Sequence, residues 1–382
     1  MILIKNALLY SPRPEGKKDV LLCGGRVEAV ADCIPEETFP CSVQVIEAEG
    51  KIMTPGIVDQ HVHITGGGGE GSFHTRVPEV QFSDLVAGGV TTVVGLLGTD
   101  DVTRSVENLV AKAKALKEEG ITAFALTGAY GYPPVTITGS VKKDIAFIDE
   151  ILGVKLAISD HRAPNLSEEE LMRLASDVRT AGMLSGKPGI VTLHMGSGRA
   201  GLSPVMKALE RTEIPIKTFR PTHVSRCDRL LMEAAEFAAA GGWIDITCDS
   251  GKKHRMACAL RLVGERGAGL SRVTISSDGQ GSWSEYDEDG GLVRIGVSAV
   301  DGILKQLSVL VEEDGMELSE ALLLATENPA RALALYPRKG CIREGSDADM
   351  LLFKKGLSLD TVIAGGRILM EGGSFRVRGT YE

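Results

Sequence analysis

The chain has 382 residues, enough for one large domain with a smaller one attached, and 43% hydrophobic with 24% charged residues is typical of a globular protein. A net charge of −9 without any basic run argues against a nucleic-acid-binding surface. No apolar stretch approaches membrane-spanning length, the N-terminus lacks the pattern of a signal peptide, and seven cysteines without a C-x-x-C pair are typical of reduced thiols. We therefore expect a cytoplasmic protein with no membrane partner.

Both ends of the chain carry short strand patterns. Residues 20–30 hold two apolar runs around a Gly-Gly turn, which predicts a hairpin. Residues 349–353 and 361–370 predict further strands, with a second Gly-Gly turn at 365–366. We expect one small β-sandwich domain built from both chain ends, residues 1–54 plus 337–382.

Strands and helices alternate between these ends. Residues 167–170 form a capping box that opens one predicted helix, and others are predicted at 229–240, 297–313 and 318–335. A (β/α)8 TIM barrel over residues 55–336 is the expected fold, with a doubly wound sheet as the alternative because sequence does not show closure. Eight apolar, β-branched runs predict its strands, at residues 57–64, 91–97, 122–127, 154–158, 190–195, 218–224, 243–247 and 273–277.

Four histidines lie at predicted strand ends. His61 and His63 end the first strand and share one face, because alternate residues of a strand point the same way. Such a pair either binds a metal ion or forms ordinary hydrogen bonds. His194 and His223 end the fifth and sixth strands, and Asp278 ends the eighth. Since active sites of barrels lie at the carboxyl ends of their strands, we expect these side chains to meet at a divalent metal site.

Lys155 lies inside the apolar fourth strand. A lysine there either extends to the edge of the strand or, if it is buried beside cations, loses its proton and becomes a nucleophile. Reaction with carbon dioxide would convert it into a carbamate, a bidentate anion that can bridge two metal ions.

This set of residues resembles the amidohydrolase superfamily. That pattern has H-x-H after the first strand (61–63), Lys155 on the fourth, His194 and His223 on the fifth and sixth, and Asp278 on the eighth. The segments 54–59 (TPGIVD), 327–331 (ENPAR) and 345–349 (GSDAD) resemble further signatures of the superfamily. Within it, the chain is most similar to isoaspartyl (β-aspartyl) dipeptidases over essentially its whole length.

The resemblance implies a zinc-dependent hydrolase that cleaves the isopeptide bond of β-aspartyl dipeptides. One divalent ion would be bound by His61, His63 and Asp278, and the other by His194 and His223. Carboxylated Lys155 and a hydroxide would bridge the two ions. Asp278 would also take a proton from the attacking hydroxide and deliver it to the leaving amine.

The resemblance also implies a pocket whose charges match the dipeptide. Glu70, after four glycines, would meet the α-ammonium group. Arg162 and Arg226 would bind carboxylates, with Ser282 donating to the same group, although a solvated surface partner explains each arginine equally well without the family. Tyr130 would donate to the carbonyl oxygen as a catalytic residue. The implied substrate-binding residues are Glu70, Thr99, Arg162, Arg226 and Ser282.

Two other functions stay open. A cyclic-amide hydrolase of the dihydroorotase or hydantoinase type would use the same metals without needing Glu70 to meet an ammonium group. A non-catalytic interaction protein on this scaffold would be expected to lose metal ligands, and here every ligand position is filled. The family also implies a homo-oligomer, often an octamer, and the acidic, glycine-containing segment 283–295 is expected to act as a lid.

Overall fold

The structure is a computed structural model that describes residues 1–36, 39, 42–248 and 255–382. The strands, in chain order, are β1 (Ile2–Tyr10), β2 (Pro14–Cys23), β3 (Arg26–Ala31), β4 (Gln44–Glu47), β5 (Ile52–Pro55), β6 (Ile57–Val62), β7 (Val90–Gly95), β8 (Thr122–Gly128), β9 (Ile151–Ile158), β10 (Ile190–Met195), β11 (Phe219–Thr222), β12 (Ile244–Thr247), β13 (Val273–Ser276), β14 (Ser282–Tyr286), β15 (Leu292–Val297), β16 (Met350–Lys354), β17 (Ser358–Ala364), β18 (Arg367–Glu371) and β19 (Ser374–Phe375).

The helices lie mostly between the central strands. The α-helices are α1 (Phe82–Ala87), α2 (Val106–Glu119), α3 (Val141–Phe147), α4 (Glu168–Ser185), α5 (Ser203–Arg211), α6 (Asp228–Ala239), α7 (Arg255–Glu265), α8 (Gly302–Ser308), α9 (Leu318–Ala325) and α10 (Glu327–Ala332). Short 3-10 helices occur at Phe73–Thr75, Ile216–Thr218 and Leu270–Arg272, and α8 continues into a π-helical turn at Val309–Glu313. Among the described helices, none combines the length and apolar character needed to cross a membrane.

Strands from both chain ends combine in one mixed sheet of nine strands. Its order is β19-β18-β17-β16-β5-β1-β2-β3, and β4 pairs with β1. Met53 of β5 lies opposite Leu9 of β1 on one side and Leu352 of β16 on the other. The predicted hairpins at the two Gly-Gly turns are confirmed as β2–β3 and β17–β18. Buried aliphatic side chains on this sheet form a core of their own.

A second, parallel sheet carries the predicted central strands. Its six strands follow the order β11-β10-β9-β8-β7-β6, and β12 pairs with β13 in a separate parallel ladder. Every residue of β6, β7, β9 and β10 is buried, as expected for parallel strands covered by helices. All eight predicted strands are present, with ends shifted by three residues or fewer.

Two predicted helices differ from the observed ones in the second half of the chain. Residues 318–335 form α9 and α10 instead of one helix, because Pro329 lacks an amide hydrogen and its ring clashes with the preceding turn. The helix predicted over 297–313 begins only at Gly302, because Val297 belongs to β15. The capping box of α4 is confirmed, with the Ser167 side chain and the Glu170 backbone bonded to each other.

The segment expected to act as a lid forms an antiparallel hairpin, β14–β15. Its residues alternate between half-buried and exposed along β14, the pattern of a strand with one covered face. The hairpin begins at Ser282, directly after the loop that follows β13.

Candidate metal centre and substrate pocket

The predicted metal ligands converge beyond the carboxyl ends of the parallel strands. Ligand atoms of His61, His223 and Asp278 all lie within 4.8 Å of one another. Asp278 Oδ1 is 3.3 Å from His61 Nε2 and 3.1 Å from His63 Nε2. The ring of His194 lies 4.6 Å from that of His223, measured between centroids. Four histidines and one carboxylate therefore form a single buried cluster.

Backbone geometry at the strand ends aims these side chains at one point. His223 follows β11 with φ of 60°, and Asp278 follows β13 with φ of 53°. A left-handed backbone is uncommon in residues other than glycine, although histidine and aspartate adopt it more often than most residues do. Asp59 holds two of the segments together, because its Oδ1 accepts the backbone N–H groups of His61 at 3.2 Å and Ser277 at 3.3 Å.

Lys155 lies fully buried on β9 with its Nζ 3.1 Å from His61 Nε2. Burial lowers the pKa of Lys155 to about 7, so the amine loses its proton far more readily than an exposed lysine. Burial and the neighbouring Lys155 charge lower the pKa of His61 to about 4, which keeps its imidazole neutral. A neutral imidazole is the form of histidine that binds a metal ion, and an unprotonated amine is the form of lysine that carboxylation requires.

The cluster fits a divalent ion. The Nδ1 atoms of His61 and His63 are buried and have no hydrogen-bond partner among the described residues. Buried polar atoms without a partner are rare in folded proteins. Although burial alone would raise the pKa of Asp278, the adjacent His223 and the hydrogen bonds of His61 and His63 hold it well below its usual range. Neutral imidazoles around an ionised carboxylate are the donor set that zinc prefers.

Tyr130 and Asp160 flank the remaining predicted ligand, His194. The hydroxyl of Tyr130 lies 2.6 Å from His194 Nδ1, and Asp160 Oδ2 lies 3.2 Å from His194 Nε2. Burial raises the pKa of Tyr130, so the phenol keeps its proton as a donor. Asp160 is not among the predicted site residues, although it follows the fourth predicted strand two residues before Arg162.

The predicted substrate residues Glu70, Thr99, Arg162 and Ser282 lie together. Ser282 Oγ donates to both carboxylate oxygens of Glu70, at 2.8 and 2.9 Å, and Thr99 Oγ1 donates at 3.2 Å. Arg162 Nη1 lies 3.5 Å from Glu70 Oε1. The contribution of Ser282 to a substrate carboxylate stays a prediction. In the structure Ser282 lies on Glu70, because the loop before β14 is hydrogen-bonded to the glycine loop through Gly67 N and Gln280 O.

Arg226 lies three residues beyond His223, in the loop that leads to α6. It is exposed, and its backbone N–H donates to His223 O at 3.2 Å. The pKa of His194 lies well below its usual value, first because of burial and then because of the Arg226 charge. The guanidinium is therefore close enough to the buried cluster to affect it electrostatically.

The glycine loop that carries Glu70 is packed tightly by Arg104, a residue that sequence analysis did not select. Arg104 Nη2 donates to Gly67 O at 3.1 Å and to Val77 O at 2.8 Å, and Nη1 donates to Thr65 O. Gly66 has φ of 80°, and a Cβ atom there would collide with Val77 O. The backbone around residues 65–69 is thus held in one position next to the site.

The comparison with known families agrees with this geometry. The model of the family described as "Amidohydrolase family" matches residues 52–369. The chain belongs to this family.

Solved structures extend the comparison. A crystal structure of the β-aspartyl dipeptidase from the thermophilic keratin-degrading Fervidobacterium islandicum AW-1, in complex with β-Asp-Leu dipeptide, has 44% identity and a TM-score of 0.94, covering 98% of this chain and 97% of that chain. A second structure of a β-aspartyl dipeptidase from that strain has 43% identity and a TM-score of 0.91, covering 98% of each chain.

Curated relatives are more distant. A dihydroorotase from Listeria monocytogenes serotype 4a (strain HCC23) is 28% identical over 221 residues, which is 56% of this chain and 50% of that protein. The chain therefore spans about half the length of this relative.

Proposed function

We propose that this chain is a metal-dependent β-aspartyl dipeptidase that hydrolyses the isopeptide bond formed by an aspartate side chain. The observation that carries the proposal is the likeness, at 44% identity over 98% of this chain, to a dipeptidase crystallised with β-Asp-Leu. The pairing of Glu70 with Arg162 beside the metal cluster supports it, because a zwitterionic dipeptide needs one anion and one cation there.

We infer that the parallel strands close into a (β/α)8 barrel of residues 55–336, with residues 1–54 and 337–382 as a small β-sandwich domain. Two contacts support closure. Val62 and Gly279 form a parallel bridge between the first strand and the segment after the eighth. Val224 N donates to Asp245 O at 3.4 Å, between the sixth and seventh strands.

The metal centre is proposed to hold two divalent ions, with zinc the metal that the histidine-rich donors favour. His61, His63 and Asp278 would bind one ion, His194 and His223 the other, and carboxylated Lys155 would lie between them. When bound, the ions polarise the amide carbonyl and supply hydroxide at neutral pH. The burial of Lys155 and its distance of 3.1 Å from His61 Nε2 support its carboxylation.

The side chains have separate tasks in the proposed reaction. Asp278, held ionised, takes a proton from the attacking oxygen and delivers it to the leaving amine. Tyr130 donates its hydroxyl proton in a hydrogen bond to the carbonyl oxygen as negative charge develops there. Tyr130 is buried and the Asp278 side chain is only 14% exposed, so water weakens these interactions only in part.

Substrate recognition is proposed to exchange the ion pair between Glu70 and Arg162 for three ion pairs with the dipeptide. In the structure Glu70 and Arg162 face each other at 3.5 Å. A bound dipeptide would place its ammonium group on Glu70 and a carboxylate on Arg162, with Arg226 binding the second carboxylate. Thr99 and Ser282 donate to Glu70 and so orient its carboxylate toward the ammonium group.

We further propose a cytoplasmic homo-oligomer. The six cysteines among the described residues are free thiols, which supports a reducing compartment, and Cys41 lies outside the described residues. Phe147 on α3 and Met183 and Leu184 on α4 are each at least 66% exposed, and these apolar side chains support a subunit contact there. Sedimentation velocity of the purified protein tests the oligomeric state, and a monomer would contradict it.

The decisive experiment is a substrate panel on the zinc-loaded protein. We expect cleavage of β-Asp-Leu, with α-Asp-Leu and dihydroorotate turned over at least 10²-fold more slowly. Dihydroorotate as the best substrate would favour a cyclic-amide hydrolase, the second candidate suggested by the dihydroorotase relatives. No turnover and no bound metal would favour the non-catalytic scaffold.

A further inference from the structure

Asp160 joins the metal ligands to the substrate residues. It lies two residues after β9, and its side chain is only 4% exposed. Its Oδ2 is 3.2 Å from His194 Nε2 and also accepts Arg162 Nη2 at 3.1 Å. Its Oδ1 accepts Arg162 Nε at 2.9 Å and the backbone N–H of Arg162 at 2.9 Å. One carboxylate therefore contacts a proposed metal ligand and a proposed substrate ligand at once.

The surrounding backbone builds this position. Gly196, directly after β10, has no side chain, and a Cβ atom there would lie 2.6 Å from the Cβ atom of Asp160. Ser159 adopts φ of 55°, so the chain turns sharply just before Asp160. Such close packing leaves the carboxylate little freedom to move away from either partner.

Its electrostatic state fits both contacts. The Arg162 guanidinium, with Nε 2.9 Å from Oδ1 and Nη2 3.1 Å from Oδ2, stabilises the negative charge of the Asp160 carboxylate. An ionised carboxylate accepts stronger hydrogen bonds than a neutral group and binds a guanidinium through two parallel bonds. A carboxylate on the outer nitrogen of a metal-binding histidine fixes the ring and makes it a better ligand.

We propose that Asp160 is a positioning residue that couples ion binding at His194 to substrate binding at Arg162. The coupling rests on the proposed dipeptidase function and on the oxygen that the two partners share. Because Oδ2 contacts both, a shift of Arg162 toward a substrate carboxylate changes the hydrogen bond that orients His194. Binding of ion and binding of dipeptide then influence each other reciprocally.

The test compares Asp160→Asn with Arg162→Gln and with Glu150→Gln. Asparagine keeps the size of the side chain and removes its charge. Glu150 is a matched control, because it is a carboxylate of similar burial (5% exposed) paired with lysines away from the site. Zinc affinity of the metal-free protein is measured by competition with a coloured chelator, KM with β-Asp-Leu, and stability by urea unfolding.

Asp160→Asn is expected to bind one of two zinc ions roughly 10- to 100-fold more weakly and to raise KM about tenfold. Arg162→Gln should raise KM and also shift zinc affinity, by less than Asp160→Asn does, because the second partner of Asp160 Oδ2 is lost. Glu150→Gln should change neither. Should Asp160→Asn fail to fold, Asp160→Glu is measured in its place, with smaller shifts in the same directions.

Unchanged zinc affinity or unchanged KM in the Asp160 variant overturns the coupling, and so does a loss of stability without either effect.

The dipeptidase function and the role of Asp160 are refuted by different results. A wild type that binds zinc but leaves β-Asp-Leu intact refutes the dipeptidase. Zinc affinity, which needs no turnover, then still decides whether Asp160 supports His194.

Discussion

Glu70→Gln is the sharpest test of what the pocket recognises. The Glu70 side chain is only 6% exposed. An ammonium group about 4 Å from it, in surroundings with an effective dielectric constant of about 20, is attracted by roughly 4 kcal/mol. Glutamine keeps a neutral hydrogen bond of about 1 kcal/mol. We expect a net loss of about 3 kcal/mol, which is roughly a 10²-fold fall in kcat/KM for β-Asp-Leu.

The assay follows release of leucine by wild type and by Glu70→Gln, with free β-Asp-Leu and with its N-acetylated form. Wild type should cleave the acetylated compound poorly, because that compound lacks the positive charge. The variant should show little further loss with it, since the charge pair is absent in both cases. Ser282→Ala removes the hydrogen bonds from Ser282 Oγ to Glu70 Oε1 and Oε2. It should lower kcat/KM for β-Asp-Leu about tenfold. Equal losses with both substrates, or a preference of wild type for the acetylated one, would refute the ammonium site.

Four further substitutions test the proposed metal centre, the glycine loop and the mixed sheet. Lys155→Ala should abolish turnover and lower zinc content, measured by elemental analysis, with partial rescue by a short carboxylic acid; full activity without rescue would refute carboxylation. Asp278→Asn should retain much of the zinc while kcat falls roughly 10²- to 10⁴-fold, and near-normal turnover would remove it from proton transfer. Arg104→Ala should lower kcat/KM about tenfold with zinc content unchanged, because Arg104 positions the loop that carries Glu70. In the double variant with Glu70→Gln it should add no further loss, and additive losses would contradict a role of Arg104 through Glu70. Asp360→Asn should lower the free energy of unfolding by about 2 kcal/mol at pH 7. Burial raises the pKa of Asp360, but two paired lysines lower it to about 2, so this loss should shrink between pH 4 and pH 2 in urea unfolding, and a constant difference would contradict it.

The proximity of the predicted metal ligands could be inferred from the sequence. Alternation of side chains along a strand and the position of each ligand at a strand end were sufficient for that inference. Alternation along β6 and into the residue that follows it puts His61 and His63 on one face, and parallel strands bring their carboxyl ends to one edge. Lys155 was selected because a charged residue inside a continuous apolar strand is rare. None of these inferences required knowledge of a loop conformation, so the structure brings all of these residues together.

The contacts made by loops could not be predicted in the same way. Ser282 reaches Glu70 because the turn into β14 and the glycine loop meet in space, although they lie far apart in the chain. Arg104 acts on backbone carbonyls, which leave no trace in side-chain patterns. Asp160 could have been predicted, since it is a charged residue at a strand end, two residues before Arg162. The β14–β15 hairpin was missed because its acidic turn dominates the composition of a segment whose flanks alternate.

The place of β5 in the mixed sheet has a consequence for how the protein is made. β5 lies between β1, an early strand, and β16, which leaves the ribosome only after all the parallel strands and the helices between them. It also leads directly into β6, the strand that carries His61. A nascent chain therefore holds the start of its first metal-binding strand against an open sheet edge until synthesis is almost complete. Chains that end before β16 leave that edge of β5 unpaired, and we expect them to be inactive and aggregation-prone.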